Sequence, residues 1–213
     1  MRNSVLIVGA GKGLSSSLAR LFHSRGYRVG LVARNINKIS HLSDEINASL
    51  FQFDVSKPDF VHKLFKDVDK DLGNLDLVIF NPSKRFSGRI EELNANQVKE
   101  ALDITCYAGF LVAQQAIIRM LKLGKGSIFF TGASASKKGF ANSSVFAMGK
   151  FGLRGLAQSL ARELHPKGIH IAHFVIDGGI GKEPKGDYQT MKPDEIAKTY
   201  LQFYRQDKST WAW

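Results

Sequence analysis

A single cysteine, Cys106, in 213 residues leaves no intrachain disulfide to form, so a disulfide scaffold is excluded and a reducing compartment, the cytoplasm, is the expected location. No apolar run approaches the ~20 residues of a membrane span. The short N-terminal run Val5 to Val8 does not read as a signal peptide, and no membrane partner is expected. The six histidines show no metal-ligand spacing, so no metal is expected; His170 and His173 fall within an apolar run of strand character and read as satisfied polar groups. Acidic residues are few, 19 against 30 basic ones, giving a formal charge of +11. The basic residues are nevertheless scattered, with no run of five and no recognition motif, so nucleic acid is not an expected partner. There is no Gly-x-Ser-x-Gly elbow, no phosphate-loop Lys-Ser/Thr pattern, no repeat and no low-complexity linker. One domain spanning residues 1–213 follows.

What is present is concentrated in Val5 to Arg34. An apolar run of strand length, Val5 to Val8, enters a glycine cluster at Gly9, Gly11 and Gly13, and apolar residues at helical spacing follow at Leu14, Leu18, Leu21 and Phe22. Gly26 breaks that helix, and Arg28 to Ala33 reads as a second strand, closing a β-α-β unit. Glycines suit a strand that turns sharply into a helix, because the backbone adopts unusual torsions there and a phosphate can approach the helix-N-terminal amides. The standard Gly-x-Gly-x-x-Gly form is not met, since Leu14 holds its last position. The looser Gly-x-x-x-Gly-x-Gly form matches at Gly9 and Gly13 and then has Ser15. The stretch reads as a dinucleotide cradle. An acidic residue at the end of the second strand would bond a ribose 2′-hydroxyl, but here Arg34 stands there and Lys12 lies in the glycine turn, which favours NADP(H) over NAD(H). The alternative for Arg34 is a solvated loop cation.

Further along, Ser49 to Val55 reads as a third strand with Asp54 at its end, either beside a ligand or capping the helix that follows Pro58. Phe60, Leu64, Val68 and Leu72 form a helical stripe, and Leu75 to Phe80 is a fourth strand. Asn94 to Leu123 is a long amphipathic helix, longer than one sheet face needs, so part of it is expected against another subunit. Ser127 to Thr131 is a fifth strand, followed by a small-residue loop and a helix through Leu164; Ile169 to Ile176 is a sixth. Strands alternating with helices imply a doubly wound parallel sheet, a three-layer α/β/α sandwich of Rossmann type. Gly181 to Thr190 is polar and either overhangs the crevice as a lid or is a surface loop. Trp211 and Trp213 need cover, and Cys106 reads as core.

With six strands placed, the chain resembles the short-chain dehydrogenase/reductase family from Val5 to about Tyr204. The resemblance implies a cofactor loop of Gly9, Gly11, Lys12, Gly13 and Leu14, an adenine contact at Asp54 and Val55, and Asn81 in the place of the second Asn of Asn-Asn-Ala-Gly. It also implies a catalytic Ser at Ser134, the Lys of Tyr-x-x-x-Lys at Lys150, whose other role is purely to bind the cofactor at the nicotinamide ribose, and Asp177, Gly178 and Ile180 following the sixth strand against the cofactor. Phe146 stands at the family's acid/base Tyr position and Thr105 at that of its helix Asn. The implied activity is NADP(H)-dependent hydride transfer on a small carbonyl or alcohol, with Lys150, Ser134, Ser143, Ser144 or Tyr188 in place of the missing phenol, in a homodimer or homotetramer. The other reading is an inactive NADP(H)-binding sensor or scaffold of the same fold. Phe146 separates the two, because a phenyl ring has no proton to give.

Overall fold

Both faces of the central strands are apolar, so each face needs its own helical layer. In the computed structural model, which describes residues 3–181 and 190–213, β1 (Ser4–Val8), β2 (Arg28–Ala33), β3 (Ser49–Gln52), β4 (Leu77–Phe80), β5 (Gly126–Thr131) and β6 (Ile169–Phe174) form one parallel sheet ordered β3-β2-β1-β4-β5-β6. The helices are α1 (Leu14–Ser24), α2 (Ser40–Ile46), α3 (Pro58–Asp71), α4 (Ala95–Leu102), α5 (Ala108–Leu123), α6 (Ser144–Leu164) and α7 (Pro193–Tyr204). Period-2 alternation divides the core between the two faces. Leu6 and Val8 of β1 pack with Leu64, Val112 and Leu153 under α3, α5 and α6, while Val5 and Ile7 pack with Leu18, Leu42 and Tyr200 under α1, α2 and α7. The Rossmann-type α/β/α sandwich expected from the sequence is the observed fold.

The order reverses beside β1, where successive strands lead away on either side, leaving a crevice at the carboxyl ends of β1 and β4. Gly9 holds this point open. Its φ is +78°, and a Cβ built there would lie 2.8 Å from the Pro82 nitrogen as the chain leaves β4, so only glycine lets these two exits cross.

Several boundaries move. The third strand stops at Gln52 rather than Val55, and the sixth at Phe174 rather than Ile176, because their ladder partners Ala33 and Thr131 are the last of their own strands. The long helix does run from Ala95 to Leu123, but Asp103–Tyr107 within it takes π-helical form. By length and composition this helix is apolar enough to cross a membrane, which the search for an apolar run in the sequence did not find. Ala108, Leu111, Val112, Ala113, Ala116 and Met120 are built into the core, whereas Tyr107, Phe110, Ile118 and Leu121 stay exposed on the outer face. Phe60 leaves its predicted stripe: Val61, Leu64, Phe65 and Val68 are buried instead, and Lys63 sits over the exposed Phe60 ring. A short parallel pair, β7 (Gly179–Ile180) and β8 (Thr190–Met191), lies outside the main sheet and was not foreseen.

Trp211 finds cover by stacking on His170, with ring centroids 4.7 Å apart. Cys106 is only half-buried, its sulfur close to Gly152 between α6 and the π-helical segment. The two strand histidines are not the satisfied groups expected. His170 Nε2 meets the Ala212 carbonyl at 2.9 Å, but its Nδ1 and the Nε2 of His173 are buried without a hydrogen-bond partner among the described residues. Burial lowers the pKa of both rings to about 4, which keeps them neutral at pH 7.

Candidate active site

The turn from β1 into α1 forms the floor of a cleft of about 880 Å³ at the strand-order reversal. Helix α1 begins at Leu14 with Gly13 as N-cap, no side-chain cap and no acid in its first turn. Its first amides therefore have no acceptor within the helix, and they carry the positive end of its dipole. A Cβ at Gly11 or Gly13 would meet no protein atom within 4 Å, so the approach to those amides is open. Ser15 and Ser16 turn their hydroxyls the other way, donating to the carbonyls of Gly9 (3.0 Å) and Gly11 (2.7 Å) and fixing the loop from below. A dinucleotide pyrophosphate fits this donor set and this opening.

The structure gathers Gly9, Gly11, Lys12, Arg34, Asp54, Val55 and Asn81 around that one cleft. Gly13 and Ile180 line an adjoining cleft of about 650 Å³, which shares Lys12, Lys38 and His41 with the first. Leu14 is instead a core residue, with 8 % of its surface exposed. At the β2 end, Arg34, Lys38, His41, Asn35 and Asn37 surround the space. No carboxylate among the described residues pairs with Lys12, Arg34 or Lys38. Sequence reading found Arg34 and Lys12 and missed Lys38 and His41, although their spacing after Arg34, across the short 3₁₀ turn Ile36–Lys38 and into α2, was a usable signal. Asp54 lines the cleft but does not cap α3, whose N-cap is Lys57 with no side-chain cap; its Oδ1 instead accepts from the backbone and hydroxyl of Ser56 in the turn ahead of that helix.

The β4 and β5 exits are tied by side chains. Asn81 Nδ2 donates to Ser15 Oγ at 3.0 Å, and its Oδ1 accepts from the Thr131 hydroxyl. That single proton being spent, the Tyr200 hydroxyl, 2.8 Å from Thr131 Oγ1, must be the donor to it. Burial pushes the Tyr200 phenol well above its ordinary range, so it is present as the neutral donor the chain requires. Lys150 ends beside the same residue, its Nζ donating to the Thr131 carbonyl at 2.7 Å. It is 3 % exposed, and burial with the nearby Arg85 charge lowers its pKa to about 8. The sequence reading of Asn81 as a cofactor residue missed this bracing role, and missed Thr131 and Tyr200 altogether.

Phe146 lies one helical turn before Lys150, with Nζ 5.8 Å from its ring centroid. The guanidinium of Arg85 covers the ring at 4.1 Å. Thr105 is buried, and its hydroxyl both accepts from the Lys84 amide (3.0 Å) and donates to the Lys84 carbonyl (3.3 Å). It clamps the loop backbone leading to Arg85 rather than standing free for a proton relay. Its Cβ and methyl group would be 3.0 Å from a Cβ at position 149, so Gly149 lets α6 approach the π-helical turn. Ser134 is half-buried in a short 3₁₀ turn, where its amide donates to the Ile176 carbonyl at 3.2 Å. Ser143 is the N-cap of α6, with Ser144 its first residue. Asp177 and Gly178 are exposed and line neither cleft. Tyr188, with the rest of 182–189, lies outside the described residues.

Comparison with known proteins agrees with this architecture. The family model for short chain dehydrogenases matches residues 3–181. A crystal structure of a short-chain dehydrogenase from Rhodopseudomonas palustris superposes with a TM-score of 0.87 at 34 % identity, covering 100 % of this chain and 96 % of that one. ElxO with NADP bound gives a TM-score of 0.89 at 22 % identity over 97 % of this chain and 93 % of its own, and a tyrosine-to-phenylalanine variant of ElxO with NADPH bound gives 0.88 at 23 %. Among curated sequences, the 3-oxoacyl-[acyl-carrier-protein] reductase of Bos taurus is 26 % identical over 167 residues, 78 % of this chain and 70 % of that one. With a glycine turn at the strand-order reversal, a cleft above it and a family match over most of its length, this chain belongs to the short-chain dehydrogenase family of oxidoreductases.

Proposed function

We propose that the protein is an NADP(H)-dependent short-chain oxidoreductase that reduces or oxidises a small carbonyl or alcohol, with a proton donor other than a phenol at position 146. The observation that carries the cofactor reading is the group of unpaired cations, Lys12, Arg34 and Lys38, on the same cleft as the open glycine turn. A 2′-phosphate is the anion that such a group at the end of β2 would take. The NADP-bound relatives support that choice. When bound, the cofactor supplies or accepts the hydride.

The chain's own residues must then stabilise and protonate an oxygen. Lys150 uses one N–H on the Thr131 carbonyl and has two left to offer. With a pKa of about 8 it is an ammonium at neutral pH that can still release a proton, close to the match between acid strength and working pH that general acids need. Ser134, in the short turn after β5, is the hydroxyl to which the family resemblance gives the substrate oxygen.

A second reading, a catalytically inactive NADP(H)-binding sensor or scaffold, is favoured by one observation: Phe146 brings no proton and the Thr105 hydroxyl is already occupied. One experiment decides between them. NADPH binding is titrated by fluorescence, and turnover on a panel of carbonyls and alcohols is followed for the natural chain and for Phe146→Tyr. Saturable binding with turnover that rises in Phe146→Tyr supports the enzyme. Saturable binding without turnover in either chain supports the sensor, and no binding removes both.

A further inference from the structure

Lys84 and Arg85 are consecutive cations with different fates. Lys84 forms an ion pair with Glu100, lies over the Phe86 ring at 5.1 Å, and has its backbone held at both ends by Thr105. Arg85 has no carboxylate partner and no hydrogen bond among the described residues; its one contact of note is the face of Phe146. A guanidinium over an aromatic face is held there by cation–π attraction, and the N–H groups of the exposed Arg85 meet no protein acceptor among the described residues. The Lys150 ammonium lies 5.8 Å from the centroid of the same ring, so two cations meet at Phe146. Asn81, Pro82 and Ser83, which line the cleft, immediately precede Lys84 and Arg85 in the chain. If covering Phe146 were the only task, an apolar side chain would serve. A planar array of five N–H donors left open beside a second cation is instead the arrangement that receives an oxyanion in two parallel hydrogen bonds.

Resting on the oxidoreductase reading above, we propose that Arg85 is a substrate-binding residue that selects carbonyl or alcohol substrates bearing an anionic oxygen group, a carboxylate or a phosphate monoester. Phe146 is then the platform that orients the guanidinium, and the loss of a phenol at that position gains a cation in return. Thr105 is a positioning residue, fixing the backbone from which Arg85 projects.

The test uses the protein saturated with NADP⁺, so that the cofactor's own phosphate sites are filled. Calorimetric titrations with oxalate, inorganic phosphate and the neutral diamide oxamide are run on the natural chain, Arg85→Met and Arg85→Lys. Oxalate or phosphate should bind, and Arg85→Met should weaken that binding by about tenfold or more, the scale of a lost charge-assisted pair. Arg85→Lys should fall between, keeping the charge but not the paired geometry. Oxamide affinity should be low and equal in all three. Preference for oxalate identifies carboxylate substrates, and preference for phosphate identifies phosphate esters. Arg85→Met binding the anion as tightly as the natural chain, or the natural chain binding neither anion, overturns the proposal. Fluorescence titration of NADPH on the same samples separates the causes: failure there removes the oxidoreductase reading and this one with it, whereas normal NADPH binding with anion affinity indifferent to Arg85 removes this one alone.

Discussion

At the β1–β2 end of the cleft the lining groups are backbone amides and exposed cations; at the exits of β4 and β5, beside α6, the polar side chains are largely buried and bound to one another. The first end is made by torsion and charge: Gly9 at positive φ, the uncapped start of α1, and Lys12, Arg34 and Lys38 around it. The second is made by a hydrogen-bonded chain through Ser15, Asn81, Thr131 and Tyr200, with Lys150 joined to it and Arg85 stacked beside it. Backbone cradles tolerate any side chain that does not obstruct them. Side-chain networks change character when one member changes. The binding end of such a fold can therefore keep its form while the reacting end is rebuilt.

The sharpest way to break this contrast is at Gly9, where both ends meet. Gly9→Val places a β-branched side chain in the left-handed region and against Pro82. Left-handed strain and overpacking together should cost about 3 kcal/mol or more. Urea denaturation should show that loss, together with failure to bind NADPH. Unchanged stability would mean that the Pro82 crossing yields easily and that the two ends are not mechanically joined there.

The next effect belongs to the reacting end alone and depends on pH. Lys150 has its pKa lowered to about 8 by burial and by Arg85, whereas in the unfolded chain it keeps its ordinary 10.5. Between those values the unfolded state holds the proton and the folded state does not, so stability rises with pH across that window. The penalty is fully present below pH 8. Measured as the difference between the natural chain and Lys150→Met, unfolding free energy should climb by up to about 3 kcal/mol from pH 8 to 10.5 and stay flat from pH 6 to 7.5. A difference that is level throughout would show that Lys150 is better solvated than its position indicates.

The six strands, the doubly wound parallel sheet and the glycine turn were legible in the sequence, because they rest on periodicity and on glycines whose spacing has one local explanation. Arg34 was legible for the same reason, being fixed by its distance from a strand end. Arg85 was not. Residues 81–86 lie outside any regular element, and nothing in their pattern says that Arg85 would return over a ring 61 positions later, or that Lys84 rather than Arg85 would find Glu100. Thr131 and Tyr200 were invisible for a related reason: a strand-end threonine and a helical tyrosine look like ordinary core until α7 packs beneath the sheet. Thr105 could be placed by resemblance to the helix Asn, but the direction of its hydroxyl depends on the π-helical turn at Asp103–Tyr107, which no propensity marks.

The smallest expected effect tests whether the binding end is as distributed as its composition implies. If the proposed 2′-phosphate were held by Arg34 alone, reversing that charge would abolish the proposed preference for NADPH. The cleft, however, presents Lys12, Arg34 and Lys38 together, with Asn35 and Asn37 as further donors. All three cations line the same cleft, and each is exposed to solvent, which weakens any single contact. Arg34→Asp should therefore weaken NADPH binding by about 1 to 3 kcal/mol, the range of a charge-assisted contact, and leave NADH binding within about a factor of three. The loss should shrink as salt is raised, because exposed charges are screened over about 10 Å at 0.1 M. Equal loss for both cofactors would mean that Arg34 shapes the cleft rather than reading the phosphate. No loss for either would hand the task to Lys12 and Lys38, and would move the reading of cofactor identity from the strand end to the glycine turn.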